Sequence, residues 1–287
     1  MLSAKCQVLN AVFLPLSYNP VPDWQCEGNI GLRGAMRIRP GIELASLSDV
    51  GCQRQNNEDR YSYWEPKSED EFRRKGRLAM VADGMGGYEG GQEASRIAVE
   101  TVEQVYSGSL DNDPQALLNA ALVAAHQRIQ EQAGKDPALH GMGTTCTAIA
   151  LLENNLYYAH VGDSRLYMVR NGSISLLTRD HSYVSRLVED GILSAEEAES
   201  HPQRHILTAA LGSGAQVFPD ISPQPIPLGK GDVLILCTDG LWSVVGESDL
   251  KTAVANPPEQ ACKDLVALAK QRGGPDNITV QLLKLSR

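Results

Sequence analysis

Five acidic sites, each set against glycine or asparagine where an apolar run begins or ends, constrain this chain of 287 residues more than any other feature. They are Arg54-Gln-Asn-Asn-Glu58-Asp59, Val81-Ala-Asp83-Gly84-Met-Gly-Gly87, Val161-Gly-Asp163-Ser164-Arg165, Cys237-Thr-Asp239-Gly240 and Gly274-Pro-Asp276-Asn277. The apolar runs read as β-strands, so each carboxylate is expected in a tight turn at a strand end. A fold has little use for so many acidic strand ends unless they meet around hard cations, which take oxygen ligands. On that chemistry Asp83-Gly84 suits a bridging carboxylate plus a main-chain carbonyl, and Asp239 and Asp276 suit terminal ligands. Arg54, close before Glu58, offers a planar guanidinium for two phosphate oxygens. Taken singly, an Asp-Gly pair is a plain turn and Arg54 a surface charge. Their joint occurrence carries the reading.

The segments between these sites fall into recognisable elements. Ile42–Ser48 alternates apolar and polar as a half-buried strand does, and Arg77–Ala82 is a buried run entering the Asp83 turn. Gln92–Tyr106 sets Ala94, Ile97, Ala98, Thr101, Val102 and Val105 at helical spacing. Asp113 with Pro114 is an N-cap followed by proline at the first helical position, opening a helix to about Gln132. Thr144–Leu152 and Asn155–Val161 form a hairpin about Glu153-Asn154, and Arg165–Arg170 and Ser173–Leu177 another about Asn171-Gly172. Residues 180–205 are polar, with short helical pieces at Tyr183–Asp190 and Ala195–Ser200, and are expected to project as a surface flap. Asp232–Thr238 is a strand, Pro258–Gln271 a helix and Asn277–Leu285 a final strand. Hairpins with helices set between groups of strands indicate an α+β fold with antiparallel sheets, since strict βαβα alternation is absent.

A net charge of -9, from 26 basic and 35 acidic residues, argues against general nucleic-acid binding. Residues 1–40 hold scattered proline and glycine and no sustained period, so they read as an extension appended to a body that starts at residue 41. The six cysteines form no Cys-x-x-Cys pair, which points to a reducing cytoplasm. Cys6 and Cys26 are too few to complete a tetrahedral metal site, and loop or strand filler is the stronger reading. Val8–Leu16 is short, is broken by Asn10 and Pro15, and is not read as a signal peptide. No run approaches the roughly 20 apolar residues that span a bilayer. A soluble monomer with no membrane or nucleic-acid partner is expected.

Seven segments together resemble one family: the metal-dependent serine/threonine protein phosphatases of type 2C, in their bacterial branch. They are Ser48-Asp-Val-Gly-Cys-Gln-Arg54-Gln-Asn-Asn-Glu58-Asp59, Ala82-Asp-Gly-Met-Gly-Gly87, Gly143-Thr-Thr-Cys-Thr147, His160-Val-Gly-Asp-Ser-Arg165, Thr178-Arg-Asp-His-Ser182, Leu236-Cys-Thr-Asp-Gly-Leu-Trp242 and Asp276-Asn-Ile-Thr279, spread over about residues 43–284 in family order. The resemblance implies a four-layer α-β-β-α sandwich of two antiparallel sheets flanked by helices, with the flap beside a metal-holding cleft at one end. It implies that Asp83 bridges two metals while Gly84 lends its carbonyl, that Asp239 and Asp276 complete the first metal's shell, and that Glu58 and Asp59 hold metal-bound waters. Arg54 would hold the substrate phosphate, and Asp163 with Asp239 a third metal.

The implied cofactors are two or three Mn²⁺ or Mg²⁺ ions, and the implied substrate is a protein carrying phosphoserine or phosphothreonine. The reaction expected is direct attack by a metal-bridging hydroxide, with Arg54, Asp83 and Asp239 as the catalytic residues and no phosphoenzyme. Met85 stands where many eukaryotic members have histidine, so a metal-bound water is the expected proton donor, and His181 reads as structural. Ala209 stands where relatives usually carry arginine. Two rivals remain: a catalytically silent regulatory relative, against which the complete ligand set counts, and a metal-dependent phosphoesterase acting on small phosphates or phosphotyrosine.

Overall fold

The computed structural model of the protein describes residues 38–86 and 90–286, so the readings of Cys6, Cys26 and Val8–Leu16 fall outside the described residues. In chain order the first half holds β1 (Ile42–Asp49), β2 (Asp59–Trp64), α1 (Glu69–Lys75), β3 (Arg77–Met85), α2 (Gly90–Gly108), α3 (Pro114–Lys135), β4 (Gly143–Thr144), β5 (Cys146–Leu152) and β6 (Asn155–Val161). The second half holds β7 (Arg165–Arg170), β8 (Ser173–Leu176), α4 (Tyr183–Glu189), α5 (Ala195–Glu199), β9 (Asp220–Ile221), β10 (Ile226–Pro227), β11 (Val233–Cys237), α6 (Asp239–Trp242), α7 (Glu247–Ala253), α8 (Pro258–Gln271) and β12 (Ile278–Leu285). One sheet runs β1-β12-β11-β7-β8; the other runs β10-β6-β5-β3-β2, with β4 beside β3 and β9 beside β6. Every strand pairing is antiparallel.

Alternation along the strands makes the layers. In β3, Leu78 and Met80 face α2 and α3, while Ala79 and Val81 face the other sheet. In β11, Val233, Ile235 and Cys237 face α7 and α8, while Leu234 and Leu236 point between the sheets. The result is the expected α-β-β-α sandwich, with one apolar layer under each helix pair and a third between the sheets. Asp113 caps α3 through a side-chain bond to the Gln115 N–H, with Pro114 at the first turn as expected. Asn171 and Gly172 both take positive φ, 51° and 76°, as a two-residue hairpin turn requires.

Several local expectations are corrected. The strand read as ending at Ala82 runs on through Met85, so Asp83-Gly84 is extended strand and not a turn. Glycine is needed at 84 for close approach: a Cβ there would collide with the carbonyl oxygen of Gly91. Asp239 likewise opens the one-turn helix α6 rather than a bare turn. The run read as Thr144–Leu152 divides into β4 and β5 at Thr145. The flap is tied off by pairing of Ser182 with Leu207 and by the Tyr183 N–H on the Ile206 carbonyl, slightly beyond the expected residue 205. Ile38–Pro40, read as part of the extension, already dock on the body. Arg77 Nη2 donates to the carbonyls of Arg39 and Pro40, and the Arg39 guanidinium lies 4.6 Å from the Phe72 ring centre.

Candidate active site

The interior between the sheets changes character at one end. Inward positions read Tyr63, Tyr61, Asp59 along β2 and Ala79, Val81, Asp83 along β3; they continue Leu234, Leu236, Thr238 from β11 and Leu283, Gln281, Thr279 in β12. The same two-residue period that builds the core thus delivers carboxylates and hydroxyls to its rim. Asp59 and Asp83 are register partners across β2 and β3. Asp239 follows Thr238 directly, Asp276 precedes β12, and Asp163 sits in the turn after β6.

Main-chain and hydroxyl contacts fix these positions. The Asp83 N–H donates to Thr145 Oγ1 at 2.9 Å, and the Asp83 carbonyl accepts from the Thr145 N–H and from Thr144 Oγ1, each at 2.8 Å. Thr238 Oγ1 donates to Asp59 Oδ2 at 2.8 Å. Asn277 is a strut. Its Nδ2 donates to the carbonyls of Val50 and Asn56 at 3.0 and 2.8 Å, and its Oδ1 accepts from the Glu58 N–H at 2.8 Å. Ser95 on α2 donates to the Glu58 carbonyl at 2.6 Å. Arg54, on the loop so held, pairs with Asp276 at 2.7 Å and remains half-exposed at the rim. On the flap side, Trp242 Nε1 donates to the Asp163 carbonyl at 2.9 Å, and the indole carries the Arg165 guanidinium 3.6 Å above its ring centre. Arg165 in turn grips Asp180, at the flap root, at 2.7 Å.

The electrostatics follow from burial. Desolvation lifts Asp83 well above the usual carboxylate range, and the neighbouring charges of Asp59, Asp239, Asp163 and Asp276 add to it. Burial raises Asp59 to about 7 even against the Thr238 hydrogen bond. Asp163 and Asp239 are raised by burial first, and then by each other's region of charge: Asp239 acts on Asp163, and Asp276 on Asp239. Glu58 is raised by burial too. Burial opposes the charge of Arg54, but Asp276, Glu58 and Asp83 outweigh it and hold the guanidinium protonated.

A cluster of buried acids faced by Arg54 at the rim and by Arg165 beside Asp163 is unfavourable as it stands. Asp59 Oδ1 and Asp239 Oδ1 are buried with no hydrogen-bond partner. Unpartnered hard oxygens within one cluster of carboxylates fit divalent cations such as Mg²⁺ and Mn²⁺. Among the described residues, no three His, Cys, Asp or Glu side chains converge closely enough to hold an ion by themselves. A cation here therefore completes its shell with water and main-chain oxygen, as small hard ions ordinarily do.

All the acidic residues singled out in the sequence border this one region, with Gly84 in β3 beside Asp83. His181 is structural: its Nδ1 accepts from the Gly162 N–H at 3.2 Å and its Nε2 faces Asp220 at 3.1 Å. One neighbour of the acidic cluster was not singled out in the sequence. His205, returning from the flap, brings Nδ1 to 4.0 Å from Asp239 Oδ2. Nothing in its polar sequence neighbourhood signals that approach.

The fold and the acid-lined cleft define a class of hydrolase that works on phosphate esters with divalent cations. Residues 53–261 match the sequence profile of the family described as Protein phosphatase 2C. The chain is 36% identical over 251 residues to Protein phosphatase PhpP of Streptococcus pneumoniae, covering 85% of this chain and 98% of that one. The Streptococcus agalactiae serine/threonine phosphatase structure superposes with a TM-score of 0.78 at 35% identity, covering 85% of this chain and all of that one (100%). The catalytic domain of serine threonine protein phosphatase PstP, solved in complex with two manganese ions, superposes with a TM-score of 0.74 at 32% identity over 86% of this chain and 99% of that one. This chain belongs to the protein phosphatase 2C family, in its bacterial-type branch.

Proposed function

We propose that the protein removes phosphate from phosphoserine and phosphothreonine in protein substrates, using two Mn²⁺ or Mg²⁺ ions at Asp83 and a third at the Asp163 side of the cleft. The observation that supports this most is the convergence of Asp59, Asp83, Asp163, Asp239 and Asp276 at one end of the sandwich, with Arg54 at its rim. Asp83 and the Gly84 carbonyl, with Asp239 and Asp276, would hold the first ions; Glu58 and Asp59 would hold waters around them. Asp163 and Asp239 would hold the third, with His205 offering an imidazole nitrogen from the flap. The cations, when bound, acidify water and neutralise charge on phosphoryl oxygens.

The chain's own residues do the rest. Arg54 exchanges its bond to Asp276 for two phosphoryl oxygens, which orients the ester. Asn277 and Ser95 hold the loop that aims Arg54 and Glu58. The phosphate is bound beside carboxylates that are already buried, where charge interactions are strong.

The catalytic unit runs over 41–287, with the flap at about 180–205. We read it as a monomer working in the cytoplasm, in keeping with unpaired Cys52, Cys146, Cys237 and Cys262. Among the described residues no helix is long and apolar enough to cross a membrane. The test is Asp83→Asn and Asp239→Asn, assayed on an aryl phosphate and a phosphothreonine peptide with Mn²⁺. Both should lose hydrolysis while keeping their far-UV spectrum, and near-normal turnover by both would refute the assignment.

A further inference from the structure

A cavity of about 480 Å³ opens between the flap root and the stretch Leu207–Asp220, beside the carboxylate cluster. Its volume lies within the roughly 300–1,000 Å³ of ordinary ligand pockets. Its lining is mixed, the apolar part being Met85, Leu207, Ala209, Ala210, Val217 and Phe218. Of the charged part, Arg179 pairs with Glu189 and Asp220, Asp180 with Arg165, and Arg186 also borders the space. Nothing in the metal chemistry uses this space.

Its placement relates it to the reaction. Met85 and Asp83 are two residues apart on β3, so both side chains leave the same face of the strand, separated by about 7 Å along it. An extended peptide covers that distance in two residues, at about 3.3–3.6 Å per residue. A substrate running along β3 from the Asp83 cluster toward Met85 would therefore place a side chain two positions from its phosphoresidue at the cavity.

Among the described residues, the large hydrophobic side chains left exposed include Phe218, 78% exposed and part of the cavity lining, and Tyr183, Ile192 and Ile206 on the flap and the stretch that follows it. An exposed aromatic at the lip of a cavity is a place where another chain can be held.

We propose that this cavity is a specificity subsite that takes an apolar side chain two residues from the phosphoserine or phosphothreonine of the substrate, with Ala209 keeping its floor open and Phe218 forming its lip. The proposal deepens the phosphatase reading and rests on it. A methyl group at 209 leaves room that a large side chain would fill. The substrate's apolar group is buried against Met85, Leu207 and Val217, so part of the binding energy comes from outside the phosphate.

The test compares phosphothreonine peptides carrying leucine or serine at both positions two residues from the phosphothreonine. An aryl phosphate too short to reach the cavity serves as the reference. Wild-type enzyme should favour the leucine peptide about ten-fold in kcat/KM. Ala209→Trp should erase that preference and leave aryl phosphate turnover unchanged, and Phe218→Ser, at an exposed position, should reduce it. Equal kcat/KM for the two peptides in the wild type, or an undiminished preference in Ala209→Trp, overturns the subsite alone if aryl phosphate is still hydrolysed in a metal-dependent way. Absence of any such hydrolysis overturns the phosphatase reading and the subsite together.

Discussion

Asp59 and Asp83 stand directly opposite each other across β2 and β3, two buried carboxyls on the same face with no cation of the chain between them. Both are lifted above the ordinary carboxylate range, first by burial, so the folded chain binds protons there that the unfolded chain releases. Between pH ~4, where an unfolded aspartate titrates, and about 7, the raised value of Asp59, folding stability of the metal-free protein falls as pH rises.

The metal-free protein is accordingly expected to melt at higher temperature near pH 5.5 than near pH 7.5. Asp83→Asn should narrow that gap by removing one of the two charges, and should stabilise the metal-free form at pH 7.5. Calorimetry with a chelator present measures both. An unchanged or larger gap in the variant would count against the mutual-repulsion account.

Arg54 has a carboxylate partner in the resting arrangement and is expected to trade it for phosphate. Arg54→Ala should lower kcat/KM for a phosphopeptide roughly ten- to hundred-fold, in line with about 1.5–3 kcal/mol for a charge-assisted hydrogen bond. Arg54→Lys should recover little of it, because an ammonium cannot fork two oxygens. Steady-state kinetics at saturating Mn²⁺ decides.

His205 faces Asp239 at 4.0 Å, too far for a hydrogen bond. His205→Ala should raise the Mn²⁺ concentration for half-saturation by roughly three- to ten-fold and affect Mg²⁺ less, since imidazole suits the former better than the latter. Titration calorimetry reads binding apart from turnover, and electron spin echo of bound Mn²⁺ should lose a nitrogen signal in the variant.

Asn277, just before β12, pins the loop between β1 and β2 at three points, Val50, Asn56 and Glu58. Asn277→Ala leaves two carbonyls and one N–H without their partner, at a cost of about 2–3 kcal/mol. Urea unfolding of the metal-free protein should show that loss, together with a raised KM as the Arg54 loop loosens.

Much of the architecture was legible because alternation and helical spacing are direct imprints of burial. The hairpins at Glu153-Asn154 and Asn171-Gly172, the capped helix at Asp113 and the amphipathic α8 were all readable from local pattern. β2 was not, because Asp-Arg-Tyr-Ser-Tyr-Trp opens with charges that look like a loop. α1 was hidden by its charge on every side, with Phe72 its one large apolar residue. Asp83-Gly84 misled, since glycine serves there to admit the Gly91 carbonyl and not to turn the chain. The acidic members of the site stood out as a set, whereas His205 depends on how the flap folds back, which no local pattern encodes.

Arg165, stacked on Trp242 and clasping Asp180, joins the helical turn that begins with Asp239 to the base of the flap. A shift of the Asp239 turn at one end of that chain of contacts would thus be felt at the flap root at the other. If the proposed cations bind beside Asp239, stripping them with a chelator should loosen the flap and hasten its cleavage by an added protease.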